Sequence, residues 1–78
     1  MAIREFLALN LRAFRLAQGL SQEELAHRAE IDRTYISALE RARFAASIDV
    51  LERLAGALGV VAASLLQPVE PPADEASR

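Results

Sequence analysis

The stretch Ser21 to Arg41, SQEELAHRAEIDRTYISALER, leaves this chain few choices of fold. Ser21 is followed three residues later by Glu24, the spacing at which a hydroxyl and a carboxylate cap each other's backbone N–H groups and start a helix. Leu25, Ala26 and Ala29 then fall on one face of that helix. Ile31 fills the turn that follows, and Asp32 supplies a side-chain oxygen able to open a second helix. Ile36 and Leu39 bring apolar side chains back at i, i+3. The pattern predicts two short helices around a tight turn. Helices joined in this way cross at roughly 90–120°. A small residue is needed where their backbones approach, and Ala26 is that residue.

The rest of the chain predicts three more helices and no strand. Residues 3–18 carry Leu7, Leu11 and Phe14 at helical spacing, with Gly19 as a stop. The motif pair occupies 22–29 and 33–41. Ser47 caps a helix over 48–58 whose stripe is Leu51, Leu54, Ala55 and Leu58, and Gly59 ends it. A short fifth helix is expected over about 62–66. The fold class is therefore all-α, a compact five-helix domain over residues 1–66. Residues 67–78, QPVEPPADEASR, are acidic and Pro-rich with little to bury, and are expected to form a disordered tail.

Composition narrows the function. There is no cysteine, so neither a disulfide nor a thiolate metal site is available. No apolar run approaches the roughly 20 residues of a membrane span. The N-terminus reads straight into an amphipathic helix rather than a signal peptide. These features fit a cytoplasmic, reducing location. His27 is the only histidine and lies on the outer face of its helix, where it reads as a solvated side chain rather than a ligand. No nucleophile–base pair, Gly-rich phosphate loop or paired carboxylate stands out. The expectation is no enzyme, no metal and no cofactor.

The motif residues resemble the phage repressor and Cro type of helix-turn-helix protein, the XRE-like regulators. Leu20-Ser21-Gln22-Glu23-Glu24-Leu25-Ala26 matches the first motif helix, and Ile31-Asp32-Arg33-Thr34-Tyr35-Ile36-Ser37 matches the turn and recognition helix. Arg12 and Arg15 precede them; Leu39-Glu40-Arg41, Leu51, Leu54-Ala55, Leu58 and Leu65-Leu66 follow. The run Asp32 to Ser37 is similar to that of restriction–modification controller proteins. The resemblance implies that the second motif helix enters the DNA major groove by its N-terminal end. Arg33 would then bond guanine O6 and N7, and Thr34 and Ser37 would reach base edges from the same face. Gln22 would clamp a phosphate at the start of the first motif helix. Tyr35 would either reach a phosphate or pack its ring on the scaffold. Arg41 and Arg43 would contact the DNA backbone, and Ala38 would offer a methyl group to the groove. Arg15 and Glu40 would form a partly buried ion pair joining the first helix to the recognition helix.

The chain also departs from the pattern. Glu30 and Ala42 stand where glycine is usual, so Glu30 either takes a left-handed conformation or the turn is remodelled. Phe44-Ala45-Ala46 replaces a more polar loop that usually touches the DNA backbone. The net charge of −2 is unusual for a nucleic-acid binder. However, residues 67–78 hold Glu70, Asp74 and Glu75 against Arg78 alone, which leaves eight arginines and eight acids in residues 1–66. The function implied is a sequence-specific transcription regulator acting on double-stranded DNA as a homodimer on a palindromic operator, with a restriction–modification controller as one form. The alternatives are the antitoxin of a toxin–antitoxin pair and a protein-interaction module; a protein partner is left unassigned. Val50, Ala57, Val61 and Leu66 exceed what the core needs and are the expected dimer surface; the alternative is that the fifth helix folds back and buries Val61 and Leu66 within the monomer.

Overall fold

In the computed structural model, which describes residues 2–69, five helices follow one another with no strand among the described residues. They are α1 (Ile3–Ala17), α2 (Gln22–Ala29), α3 (Arg33–Glu40), α4 (Ile48–Leu58) and α5 (Ala62–Leu65). The order and type agree with the sequence reading. α1, α3 and α5 each end one residue early, the scale on which helix ends fray. The expected tail lies, from residue 70 onward, outside the described residues.

The helix starts follow from side-chain caps. Ser21 Oγ accepts the Glu24 N–H at 3.0 Å, and Glu24 Oε1 accepts the Ser21 N–H at 2.8 Å. Asp32 Oδ1 accepts the Thr34 N–H at 2.8 Å, and Ser47 Oγ accepts the Val50 N–H at 3.1 Å. α1 through α4 end in one shared way. An N–H reaches back five residues: Leu20 to the Arg15 carbonyl, Ile31 to Ala26, Arg43 to Ala38 and Val60 to Ala55. This closure requires a left-handed residue just before the donor. Gly19 and Gly59 supply it after α1 and α4, each at φ 69°. After the motif helices the residues are Glu30 and Ala42, each at φ 57°. The turn after α2 is thus kept, and Glu30 takes the left-handed conformation. Each such non-glycine residue stores on the order of 1 kcal/mol.

Every helix contributes to one core. Leu11, Leu25, Ile36, Leu39, Leu54 and Leu65 are its fully buried large side chains. α1 packs on α3 and α5, α2 on α3 and α4, and α5 folds back onto α4. Asn10 fixes that return, its Nδ2 donating to the carbonyls of Leu65 at 3.1 Å and Gln67 at 2.9 Å. Of the residues expected to form a dimer surface, Val50, Ala57 and Leu66 are half-buried against the core. Val61 alone of the four stays open, 69% exposed.

Candidate nucleic-acid interface

Asp32 positions the site. Its carboxylate accepts the Thr34 N–H and so fixes where α3 begins, leaving Arg33 and Thr34 exposed on the first turn. Ser37 follows one turn later and is half-buried. Arg33 has no ion-pair partner among the described residues, and the first turn of α3 holds no acid. A cation at a helix start opposes the helix dipole. Helix stability alone therefore does not account for Arg33 at this position.

Beside Arg33 lies an open polar cleft of about 530 Å³, lined also by Arg15, Ser21, Gln22 and Glu23. The first N–H groups of α2 point out of that helix without intrahelical partners. Gln22 is half-buried here, and its Nε2 donates to Glu40 Oε1 at 3.1 Å. An amide nitrogen carries two protons. One is held by Glu40, and the other is available to an anion in the cleft.

Glu40 belongs to a denser arrangement. Arg15 Nε donates to Glu40 Oε2 at 2.6 Å and Arg15 Nη2 to Glu40 Oε1 at 2.9 Å, a two-pronged pair almost out of solvent. Arg15 Nη1 also donates to the Leu20 carbonyl at 2.8 Å. The hydrogen bonds to Glu40 raise the Arg15 pKa above its ordinary value, against the opposing effect of burial. The guanidinium thus stays charged and locks α1, the turn after it, the start of α2 and the end of α3 together. The ion pair implied by the resemblance is present.

The remaining site residues divide. Tyr35 takes the scaffold alternative: its hydroxyl donates to the Ala45 carbonyl at 3.1 Å, and its ring sits 6.2 Å from that of Phe44. Its one proton is therefore held within the protein. Arg41 is exposed and donates from Nε to the Ser37 carbonyl at 3.3 Å, and Arg43 is exposed on the loop beyond. Ala38 is not on the groove side. It is buried, 5% exposed, because α3 turns that position toward the body of the fold. The methyl contact expected of it is withdrawn. Two contacts were not expected from sequence: the Gln22–Glu40 bond, and that of Phe44, 55% exposed in the loop noted for its apolar character, with the Tyr35 ring. A lone aromatic in a loop of alanines was the only signal for the second. Among the described residues no cluster of His, Asp or Glu is arranged to hold a metal.

With the turn, the caps and the exposed start of α3 in place, the class follows. The helix-turn-helix family model matches residues 11–65, and the chain belongs to that family. Its relatives are transcription regulators. It is 50% identical over 66 residues to a hypothetical transcription factor of Neisseria meningitidis, covering 85% of this chain and 62% of that one. The crystal structure of the Neisseria factor superimposes with a TM-score of 0.82, over 85% of this chain and 74% of that one. The control protein C.SmaI of Serratia marcescens is 41% identical over 66 residues, covering 85% of this chain and 79% of its own. The restriction–modification controller protein C.Esp1396I, solved as a tetramer with its natural 35 base-pair operator, is 31% identical with a TM-score of 0.76. That match covers 83% of this chain and 86% of the controller. The chain thus spans slightly under two thirds of the Neisseria relative and most of the controllers.

Proposed function

We propose that this chain is a sequence-specific DNA-binding transcription regulator of the cytoplasm, without catalytic activity, that acts as a dimer on a palindromic operator. Arg33 carries the reading: an exposed, unpaired cation on the first turn of α3, where an acid would be more stable, beside a polar cleft at the start of α2. Arg33, Thr34 and Ser37 read base edges in the major groove. Gln22, the free N–H groups of α2, Arg41 and Arg43 hold backbone phosphates and set the register. Tyr35 braces the loop that carries Arg43. The similarity to C.SmaI and C.Esp1396I, together with the coverage of most of their length, supports a controller of a restriction–modification locus as the particular form. With eight arginines against eight acids in residues 1–66, non-specific affinity is low, and specificity rests on few contacts.

The test is selection of bound duplexes from a random pool, followed by gel-shift titration of the enriched sequence. The expected product is a two-fold symmetric site whose half-sites lie about one helical turn apart, or a multiple of it. A pool that shows no enriched sequence after selection rejects the reading.

A further inference from the structure

Gln22 stands at the edge of the polar cleft with its amide already fixed. Its Nε2 donates to Glu40 Oε1 at 3.1 Å, the one side-chain hydrogen bond that joins α2 to α3 among the described residues. An ionised carboxylate can only accept. Glu40 therefore decides which end of the amide faces it, and that end is the nitrogen. A glutamine free in solvent gives up rotamer freedom when it binds a partner, whereas one already held gives up little. Glu40 is also the last residue of α3, the helix whose first turn carries Arg33. The bond thus ties a side chain at the start of α2 to the helix that bears the exposed cation.

Glu40 alone could not serve in this place. A bare carboxylate beside a DNA phosphate repels it. The Glu40 side chain, 2% exposed, takes three donors: Arg15 Nε at Oε2, and Arg15 Nη2 and Gln22 Nε2 at Oε1. Arg15 offsets the charge, and Oε1 keeps a second lone pair for Gln22. The same guanidinium donates from Nη1 to the carbonyl of Leu20, two residues before Gln22. Backbone and side chain at the start of α2 are therefore held by one ion pair.

We propose that Glu40 is a positioning residue for DNA binding: without touching DNA, it holds the Gln22 amide so that the second Nε2 proton meets one backbone phosphate while Arg33 reaches its base. The inference rests on the reading of Gln22 as a phosphate contact. It gives the Arg15–Glu40 pair a task beyond stability. Arg15 keeps Glu40 neutralised, Glu40 aims Gln22, and Gln22 sets the register of α3 on the duplex.

The test is a methylphosphonate scan of the selected operator, in which phosphates are made neutral one at a time and the affinity of the full chain is read by gel shift. At one position of each half-site the wild type should lose about tenfold, as for a hydrogen bond to a charged group, and Gln22→Ala much less. Two paired variants then separate positioning from stability. Arg15→Met with Glu40→Leu removes both charges together, so neither is left buried and unpaired. Arg15→Met with Glu40→Gln keeps a side-chain oxygen at position 40 that can accept the Gln22 N–H. The first should lose the extra sensitivity at the Gln22 phosphate alone, and the second should regain it. A purely structural role moves all positions alike and gives no such rescue. One measurement needs no substitution: in the free wild-type chain the Gln22 side-chain amide should have an NMR order parameter near the rigid-backbone value of about 0.85. An order parameter below about 0.6, wild-type sensitivity in the Glu40→Leu pair, or a loss spread evenly over all phosphates overturns the positioning role and leaves the phosphate contact standing. A scan with no Gln22-dependent phosphate overturns both, and a selection that enriches no duplex overturns the DNA-binding reading with them.

Discussion

α2 and α3 are both eight residues long and both start at a side-chain cap, Ser21 and Asp32, yet their first turns carry opposite charge. α2 opens with Glu23 and Glu24, where the helix dipole favours acids by typically 0.3–1 kcal/mol each. α3 opens with Arg33, which the same dipole disfavours. The start of α2 is further tied down through Gln22 and Glu40, whereas Arg33 has no ion-pair partner among the described residues. One helix start carries charge that suits its dipole, and the other carries charge that opposes it. α3 tolerates its unfavourable beginning because its far end is clamped: Glu40 holds Arg15, and Leu39 is fully buried.

The sharpest way to break this comparison is to cut the clamp. Arg15→Ala or Glu40→Ala leaves the other charge unpaired and nearly out of solvent, at about 3–5 kcal/mol of stability. Arg33→Ala should change stability by no more than about 0.5 kcal/mol, as for other surface positions. Denaturant melts compare the three directly. A double-mutant cycle on Arg15 and Glu40 should return an interaction of about 1 kcal/mol or more. Equal losses for Arg15→Ala and Arg33→Ala would erase the distinction between the two helix starts.

The second prediction gives stability and binding opposite signs at one residue. Arg33→Glu places an acid on the first turn and should raise stability by about 0.3–1 kcal/mol, while abolishing operator binding. Arg33→Ala should lower operator affinity by about 1–3 kcal/mol and relax preference at one base pair of each half-site. Gln22→Ala, which touches no base in this arrangement, should weaken all sequences alike. An Arg33→Glu variant that binds the selected site like wild type would remove α3 as the reading helix.

The sequence made the helices and their caps legible because those signals are local. Ser21 with Glu24, Asp32, Ser47, Gly19 and Gly59 each act within a few residues of themselves. The Arg15–Glu40 pair spans 25 positions and was legible only through the family resemblance. What escaped was decided by packing between distant segments. Ala38 lies at a position that helical spacing alone does not assign to groove or core; the packing of α3 in the fold buries it. Leu66 was read as surplus because the return of α5, fixed by Asn10 across 55 positions, has no local mark. Ile48 lies outside the stripe expected for α4, Leu51, Leu54, Ala55 and Leu58, and is accordingly 85% exposed.

The smallest expected effect concerns the acid at the start of α2. Hydrogen bonds from the Ser21 backbone and side chain hold the Glu24 carboxyl below its ordinary value of 4.5, with Arg28 adding to the shift. A carboxyl whose folded pKa is depressed contributes stability that is present above its unfolded value and is lost as pH falls through the folded one. The wild-type chain should therefore lose a small increment as pH drops below about 4.5. Glu24→Gln can still cap the Ser21 N–H through its side-chain oxygen but has no charge to titrate. The melting temperatures of wild type and Glu24→Gln should differ most near neutral pH and converge in acid, with wild type the higher. If the Glu24→Gln difference stays constant from neutral to acid pH, the charge of that residue plays no part in starting α2, and the contrast between the two helices reduces to Arg33 alone.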